Sequence, residues 1–509
     1  MVDTVNHGPT HMSTSTLRYR RWPPAFALCL AALLSACAAP APEPPDVSAT
    51  VDAGFRHAPD LVASVDTTWW RGFGDEALIA LVERAQAVNH DVRIAQQRVR
   101  QARAGQTAAA SRLGPTVSLT GSASDERSGL PDRVKQGKPD TRAYRGALEL
   151  GWELDLFGAV RAGADAAELD ALSADDAVDV ARWMVSSEVA RQYIVWQGAR
   201  LRLAKLEALL KAQVDTERLT RSREAAGLAS RFDVARAAGE VQSLAAQLPP
   251  LRTFAAVTET HLAVLVGANP NQPLRELEES APPALPKPPS LSAGQPVDLL
   301  MRRPDLRVAQ QQLLAEAARL RVAHADRWPK FFLAAVLGRQ DLRLNALDLT
   351  PVGYSSAALA FTMPLFDAGR LRAAVERQSA QERMATLQFE KAVLGAIKDV
   401  DDSLVALSQD RDRLTALAAS VEQRRTGLRH AESLHREGQI DLLQLLDAQR
   451  AVLASELSAL DGQTQLALST VQLATAVGGG WPSTQGAGPA SPVASRTTPL
   501  PSPESESQP

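Results

Sequence analysis

Apolar and acidic residues alternate along the stretch 148–157. Successive side chains of a β-strand point to opposite faces, so one face of this stretch is apolar and the other is acidic. At about ten residues it is long enough to cross a bilayer as a tilted barrel strand, with lipid outside and water inside. A strand of a soluble sheet can show the same alternation. The pattern predicts a strand whose water-facing, lumen side is formed by Glu149, Glu153 and Asp155.

A long helix is predicted directly after this strand. The stretch 159–226 contains no proline, and its apolar residues recur at spacings of three, four and seven. About 68 residues at 1.5 Å per residue give a helix of roughly 100 Å. The heptad spacing predicts that such helices pack side by side as coiled coils. The stretch 370–437 has the same character.

The two halves of the chain carry the same order of elements. Asp91 recurs as Asp305 and Pro115 as Pro329, both at an offset of 214 residues (305 − 91 and 329 − 115). Each half is predicted to be helix, strand, polar loop, strand and long helix, followed by a glycine turn and a returning helix. The predicted strands are 116–123, 148–157, 331–338 and 356–366. The chain is therefore predicted to be an internal duplication.

Composition and pattern divide the chain into six predicted segments. They are a lipoprotein signal peptide (1–36), a lipid-anchored tether (37–74), a first repeat (75–248), an inter-repeat helix with a proline-rich linker (249–296), a second repeat (297–477) and a disordered Gly/Pro/Ser-rich tail (478–509). The tether ends in Trp69 and Trp70, which we expect to dock it onto the body. A membrane-interface belt is the alternative role for these two aromatic residues.

The N-terminus has the pattern of a bacterial export signal. A basic region precedes the apolar stretch 25–34, which is too short to span a bilayer as a helix. The following Leu34-Ser-Ala-Cys37 resembles the bacterial lipoprotein box, so Cys37 is predicted to be acylated and to become the first mature residue. Ala38 after the cysteine suggests sorting to the outer membrane. The alternative is an ordinary signal peptide with a chance cysteine.

Composition offers no support for catalysis, metal binding or nucleic-acid binding. The net charge of −3 gives no electrostatic case for nucleic acid. The eight histidines are scattered without ligand spacing, Cys29 and Cys37 are the only cysteines, and no glycine-rich phosphate loop is present. We therefore expect no enzyme activity, no cofactor and no metal site.

Four membrane-length strands cannot close a barrel by themselves. Open sheet edges are not tolerated in lipid, and single-chain barrels begin at about eight strands. The strands must therefore pair with those of other copies, and a homotrimer would give about twelve strands around a tunnel. The long helices follow directly after the strands, so they would form a second tube of helices below the barrel. Its length of roughly 100 Å suits the periplasm.

Six motifs resemble those of one family, the outer-membrane efflux proteins of the TolC superfamily, in particular the lipoprotein branch of NodT-type outer-membrane factors. The motifs are Trp69-Trp70 with Phe73-Gly-Asp75, Trp152-Glu-Leu-Asp-Leu-Phe-Gly158, Arg302-Arg-Pro-Asp-Leu306, Pro364-Leu-Phe-Asp-Ala-Gly-Arg370, Leu445-Leu-Asp-Ala-Gln-Arg450 and Gly478-Gly-Gly-Trp481. The resemblance implies a membrane α+β fold, in which a periplasmic α-barrel is continuous with a trimeric transmembrane β-barrel, four strands coming from each chain and about twelve from the trimer.

The resemblance also implies a function. Such proteins are the passive exit ducts of tripartite efflux pumps, fed by an inner-membrane RND-type transporter and a periplasmic adaptor, with drugs and toxic compounds as cargo. This chain would then be anchored by lipid in the cell outer membrane, with its helices in the periplasm. A lipid-anchored coiled-coil tether, in which the strands form a soluble platform, and a protein-secretion duct are the alternative functions.

By the same resemblance, the periplasmic end of the helical tube is a gate. Leu443 and Asp447 would lie one helical turn apart on its lumen-facing ring, and Arg450 would lie one turn deeper. Asp447 from three subunits would form a ring of carboxylates that favours cations. Arg231 and Asp233 would form the partner side of the latch. The alternatives are coiled-coil core for Leu443 and a solvated helix face for Asp447.

We predict that Cys37→Ser abolishes lipidation, because it removes the thiol that would carry the acyl chain. Metabolic labelling with palmitate measures this directly, and Cys29→Ser, in the signal segment, is the matched control that should keep the label. A Cys37→Ser protein that still incorporates palmitate would show that the lipidation site is wrong.

Overall fold

The computed structural model describes residues 55–57, 68–127, 129, 131, 141–278, 283–289, 291, 299, 302–344, 347–348 and 350–479. The predicted signal peptide, Cys37, most of the tether and the tail beyond residue 479 lie outside the described residues. The elements are a 3₁₀ helix Trp69–Phe73, α1 Glu76–Val88, α2 His90–Ser111, β1 Thr116–Glu126, β2 Thr141–Leu154, α3 Ala159–Ala225, α4 Arg231–Ala245, α5 Leu248–Leu265, α6 Arg275–Glu278, α7 Pro304–Ala325, β3 Lys330–Leu344, β4 Val352–Thr362, α8 Arg370–Arg436 and α9 Leu442–Ala476. A two-residue strand, Leu347–Asp348, pairs with the end of β3.

Two helices of 67 residues each, α3 and α8, dominate the chain. At 1.5 Å per residue each is roughly 100 Å long, which confirms the sequence prediction. Each is preceded by a glycine in the left-handed region, Gly158 (φ 78°) and Gly369 (φ 90°), a conformation that glycine adopts without strain. Just upstream, the carboxylates of Asp155 and Asp367 accept hydrogen bonds from backbone N–H groups at the helix start. The passage from strand to helix is thus built in the same way in both halves.

Both long helices end in a tight turn that leads into a returning helix. Gly227 and Gly438 supply the left-handed turn conformation. α4 then begins with a capping box between Ser230 and Asp233, and α9 begins with Asp441 as its N-cap. These two turns form the helical tip of the protomer, roughly 100 Å from the sheet along α3 and α8.

The segment 249–296, predicted as an inter-repeat helix and linker, begins with a helix that packs on the body. α4 ends at Ala245, earlier than the predicted boundary at residue 248, and α5 starts at Leu248. Pro249 and Pro250 lie in the first turn of α5, where a missing N–H costs little. α5 packs against α3 and buries Leu262. The body of the first half therefore continues through α5.

The four long strands form one antiparallel sheet in the order β1-β2-β3-β4. The strands extend into the segments 124–142 and 339–353 that were predicted as loops. The second strand of each half ends earlier than predicted, at Leu154 instead of residue 157 and at Thr362 instead of residue 366. For β2 the physical reason is the cap at the junction, since Asp155 and the left-handed Gly158 turn the chain into α3 directly after Leu154. For β4 it is Pro364, which has no N–H to donate to a strand ladder.

The sheet has one apolar and one polar face. Directly opposite residues of neighbouring strands share a face, and the registers place all apolar residues of the opening pattern on the same side. We call this side the apolar face; it includes Val117, Leu119, Leu148, Leu150, Trp152, Leu333, Leu337, Leu359 and Phe361. The opposite, polar face includes Ser118, Thr120, Ser122, Arg145, Glu149, Glu153, Lys330, Ser356 and Thr362. In the protomer Leu119 and Phe361 are 80% and 70% exposed. An apolar surface of this extent requires lipid or a partner.

The main hydrophobic core lies in the helical part. It contains the buried side chains of Trp69, Trp70 and Phe73, which pack with residues of α1, α3, α8 and α9. The Tyr193 hydroxyl donates to the Asp75 carboxylate, 2.9 and 3.0 Å from its oxygens, and burial raises the pKa of this tyrosine. The predicted docking of Trp69 and Trp70 onto the body is confirmed, and the membrane-belt alternative is wrong.

Two buried arginines hold the repeats together: Arg303 in the Arg302-Arg-Pro-Asp-Leu306 motif and Arg307 directly after it. The Arg303 guanidinium donates to Asp305, to Asp399 of α8 (3.3 Å) and to the Ala476 carbonyl at the end of α9 (3.1 Å). Arg307 donates to two carboxylates of α3, Asp176 and Asp179, each at 2.8 Å. The start of α7 is thereby fixed to α3, α8 and α9 at once.

Among the described residues, no helix combines the length and the apolar composition needed to cross a membrane.

Candidate functional site

Two of the three predicted lumen-facing acids lie on the polar face of the sheet. Glu149 accepts a hydrogen bond from the Thr120 hydroxyl at 2.8 Å. Glu153 lies 3.5 Å from Arg112 and 4.0 Å from Lys330, so its charge is partly balanced. The polar face is therefore mixed in charge, and it is less acidic than the alternation of β2 suggests.

Asp155 is a correction to the prediction. β2 ends at Leu154, so Asp155 lies beyond the strand. Its carboxylate accepts the backbone N–H groups of Val160 (3.1 Å) and Arg161 (2.8 Å), as well as the Arg161 side chain. Its alternation with Glu149 and Glu153 is a coincidence of spacing, because helix capping determines where the side chain points.

Large apolar and aromatic side chains surround the level at which strands become helices. Phe157 stacks on Trp328 with 5.5 Å between ring centroids, and the Trp152 indole donates to the Leu113 carbonyl at 3.0 Å. Exposed apolar side chains at the same level are Leu113, Leu156, Met363, Leu365 and Phe366. Aromatic residues of this kind concentrate where membrane proteins meet the bilayer–water interface. The level marks the boundary between the apolar face and the long helices.

The predicted gate residues lie on α9, close to the helical tip. Leu443 is half-buried, and the Asp447 side chain is exposed. Arg450 donates to the Glu240 carboxylate of α4, with 2.9 Å from Nε and a second contact from Nη2, and it lies 3.4 Å from Asp447. The hydrogen bond to Glu240 raises the pKa of Arg450. Arg450 thus bridges the returning helices of the two halves.

Glu240 is a partner of the predicted gate residue Arg450 that the sequence did not reveal. Its side chain is only 11% exposed, in contrast to Asp447 at 57%. The one available signal was the duplication: the long helices begin 211 residues apart (370 − 159), and subtracting 211 from Arg450 gives Gly239, the neighbour of Glu240. The duplication shows that Arg450 and Glu240 occupy neighbouring positions in the two repeats, but it does not predict that their side chains touch.

Arg231 and Asp233, predicted as the partner side of the latch, bond elsewhere in the protomer. The Arg231 side chain is 96% exposed and lies 3.7 Å from Glu224. The Asp233 carboxylate accepts the Ser230 hydroxyl (2.7 Å) and backbone N–H (3.0 Å), and these hydrogen bonds lower the pKa of Asp233. Within one protomer the structure therefore does not join this pair to α9. Any latch role would require contact with another subunit.

Ion pairs fix α9 along its length to the other helices. Asp461 pairs with Arg202 of α3 at 3.0 Å. Glu456 accepts from Lys205 of α3 (3.2 Å) and from Arg425 of α8 (2.8 Å), and these two hydrogen bonds hold the pKa of Glu456 below its usual range in spite of burial. Together with the Arg450–Glu240 contact, they tie α9 to both halves of the chain.

In the part of the chain that the structure describes, no group of three or more His, Cys, Asp or Glu side chains is placed to hold a metal ion.

Comparison with known proteins places these features in one family. The family model described as "Outer membrane efflux protein" matches residues 81–268 and 296–479, which correspond to the two halves of the duplication. Nodulation protein T of Rhizobium leguminosarum bv. trifolii is 30% identical over 417 residues, which cover 81% of this chain and 88% of that protein. The solvent efflux pump outer membrane protein SrpC of Pseudomonas putida is 31% identical over 412 residues, 80% of this chain and 86% of that protein.

Solved structures give the same result for the fold. The outer-membrane channel OprN has a TM-score of 0.79 at 28% identity, covering 87% of this chain and 99% of that chain. The Campylobacter jejuni CmeC outer membrane channel, at 21% identity, shares the fold with a TM-score of 0.76 over 84% of this chain and 90% of that one.

SrpC is named as an efflux pump outer membrane protein, and OprN and CmeC are named as outer-membrane channels. The predicted fold of long helices continuous with a four-strand sheet is confirmed. The chain therefore belongs to the outer membrane efflux protein family, as a duplicated efflux channel subunit with its sheet in the outer membrane and its long helices in the periplasm.

Proposed function

We propose that three copies of this chain form the passive exit duct of a tripartite efflux pump. The observation that carries the proposal is the continuity of the exposed apolar face with helices of 67 residues. One protomer therefore supplies a membrane-crossing surface and a periplasmic wall roughly 100 Å long. An RND-type inner-membrane transporter and a periplasmic adaptor would deliver the cargo and the energy.

The proposed cargo class is taken from the names of the relatives, and it fits a tunnel wall that carries both positive and negative side chains. Pseudomonas putida relatives are named for solvent, toluene and antibiotic efflux. We propose small, largely apolar toxic compounds as cargo here too. Glu149 and Glu153 would line the water-filled tunnel beside Lys330 and Arg145, so the wall carries both signs of charge. Such a wall should conduct molecules of varied charge.

Cys37 would hold the N-terminal segment in the inner leaflet of the outer membrane. Acyl chains on the mature N-terminus would act together with the sheet as anchors, since several chains anchor stably where one is marginal. The segment then ends in Trp69 and Trp70, which are docked in the main core. The anchor would thus restrain the helical body on its outer side.

The gate would be formed by Leu443 and Asp447 of three subunits at the tip. Three carboxylates around a narrow opening repel one another unless a proton or a cation lies between them. Arg450 would hold each α9 in its closed position through Glu240. Arg231 and Asp233 would then act across the subunit boundary.

Conductance in planar bilayers tests the duct. The purified trimer should give stepwise single-channel currents, whereas a coiled-coil tether has no reason to conduct. A correctly assembled trimer without stepwise conductance would contradict the proposed function.

We predict that Asp447→Ala weakens block by added divalent cations. A carboxylate contributes roughly 1 kcal/mol at 4 Å even in water, so removing it from every subunit should raise the blocking concentration at least about fivefold. Single-channel recordings with cation titration on the periplasmic side measure this. Unchanged conductance and unchanged cation block would show that Asp447 is not part of the carboxylate ring.

We also predict that breaking the Arg450–Glu240 contact opens the gate. Partly exposed ion pairs contribute up to about 1 kcal/mol, so Arg450→Gln or Glu240→Gln should raise the open fraction by several-fold. The swap Arg450→Glu with Glu240→Arg should restore closure. Arg218→Gln is the control, because Arg218 pairs with Asp215 on an exposed side of α3. Open probability in bilayers is the readout, and single variants that behave like the parent would refute the latch.

A further inference from the structure

The sheet of one protomer has two unpaired edges. β1 pairs only with β2, and β4 pairs only with β3, among the strands that the structure describes. Both edge strands are 11 residues long. An unpaired backbone polar group in hydrocarbon costs several kcal/mol. Each edge therefore needs a strand from another molecule.

The duplication specifies how the two edges fit. The hairpins β1·β2 and β3·β4 each contain 11 directly opposite pairs, from Thr116↔Gly151 in the first and from Lys330↔Thr362 in the second. β3 is therefore the equivalent of β1, with residue numbers higher by 214 (330 − 116). β4 is the equivalent of β2, with residue numbers higher by 211 (362 − 151). The eleven opposite pairs of the first hairpin therefore correspond one to one with those of the second.

The pairing between the halves is visible inside the protomer. β2 pairs with β3 from Thr141↔Leu344 to Leu154↔Phe331, so the numbers of opposite residues add to 485. A closed ring of equivalent halves repeats this joint between β4 and the next copy's β1. In that joint β4 takes the place of β2, which adds 211 to the residue number, and β1 takes the place of β3, which subtracts 214. The numbers of opposite residues should therefore add to 482 (485 + 211 − 214).

We propose that β4 of one protomer pairs antiparallel with β1 of a second copy so that the numbers of directly opposite residues add to 482. This inference rests on the proposed trimer and specifies its interface. Leu359 then lies opposite Ala123 of the next copy, Phe361 opposite Gly121, and Thr362 opposite Thr120.

This register keeps the two faces of the sheet continuous. Even-numbered residues of both β1 and β4 lie on the polar face, and an even total pairs even numbers with even numbers. A slip by one residue would place the polar face of one strand beside the apolar face of the other. Only even totals keep the lipid side apolar, and among these the duplication selects 482.

The side chains at the seam also suit one another. Phe361 lies opposite Gly121, and an aromatic ring beside a strand glycine is a known stabilising arrangement. Leu359 would meet Ala123, and Phe361 would lie diagonally beside Leu119; the side chains of Leu359, Phe361 and Leu119 are all exposed in the protomer. On the polar face, Thr362 and Thr120 can exchange a hydrogen bond. The seam therefore covers apolar surface that the protomer leaves open.

β4 ends at Thr362, three residues short of Leu365, which is equivalent to Leu154 at the end of β2 (154 + 211). Pro364 lies between them and has no N–H to donate to a strand ladder, so the strand stops before it. The proposed seam therefore uses β4 as far as Thr362.

Disulfide trapping tests this register. In one protomer β1 and β4 are separated by three interstrand spacings of about 4.8 Å, too far for a disulfide, so any cross-link must join two copies. The only native cysteines, Cys29 and Cys37, precede the described body. We expect the double variant Thr120→Cys, Thr362→Cys to oxidise to a covalent trimer on non-reducing gels.

Two double variants with shifted register are the matched controls. Thr120→Cys with Ala360→Cys adds to 480, and Ser122→Cys with Thr362→Cys adds to 484; both pairs lie on the same polar face. They should cross-link at least about tenfold more slowly, because diagonal neighbours are roughly 7–8 Å apart. Faster cross-linking of either control than of the 482 pair would overturn the register.

Native mass and conductance on the same samples separate the two proposals. A conducting trimer that cross-links only in a shifted register contradicts the seam and leaves the duct intact. A conducting trimer in which none of the three pairs cross-links also contradicts the seam. A protein that is monomeric and does not conduct contradicts both the duct and the seam.

Discussion

The backbone of a membrane strand must pair every polar group, and this constraint organises the whole molecule. Four strands form a sheet with two open edges, so the fold cannot be complete in one chain. The internal duplication offers a solution, because a joint that works between β2 and β3 can be repeated between copies. The same sheet needs an apolar side and a polar side, and the alternation in β1 and β2 provides both, whereas β3 also places Phe332 and Val336 on the polar face.

A second constraint is the passage from membrane to periplasm. At each junction a β-strand becomes a helix of 67 residues within a few positions. Gly158 and Gly369 supply the left-handed backbone, and Asp155 and Asp367 satisfy N–H groups that the first turn leaves open. Because these caps are local, the orientation of each long helix is set at the membrane boundary. The ion pairs of α9 and the Arg303 and Arg307 contacts then hold the helices together farther from the sheet.

Periodicity in the sequence predicted the elements and their faces, since both depend on the identity of residues a few positions apart. The 67-residue helices, the duplication and the docking of Trp69 and Trp70 follow from such local signals. The ends of the strands did not, because capping by Asp155 competes with alternation. The Glu240–Arg450 contact also escaped prediction, since it depends on how α4 and α9 are rotated about their axes. The roles of Arg303 and Arg307 likewise depend on carboxylates more than 90 residues away in the chain.

The central claim is that one face of the sheet meets lipid and the other meets water. Spin labels at Ser118→Cys and Leu119→Cys, adjacent residues of β1, test it in reconstituted membranes by comparing collision with oxygen, which concentrates in lipid, and with a water-soluble nickel complex. We expect the label at residue 119 to collide mainly with oxygen and the label at residue 118 mainly with nickel. Equal access of the nickel complex to both labels would mean a sheet in water, and it would contradict the account.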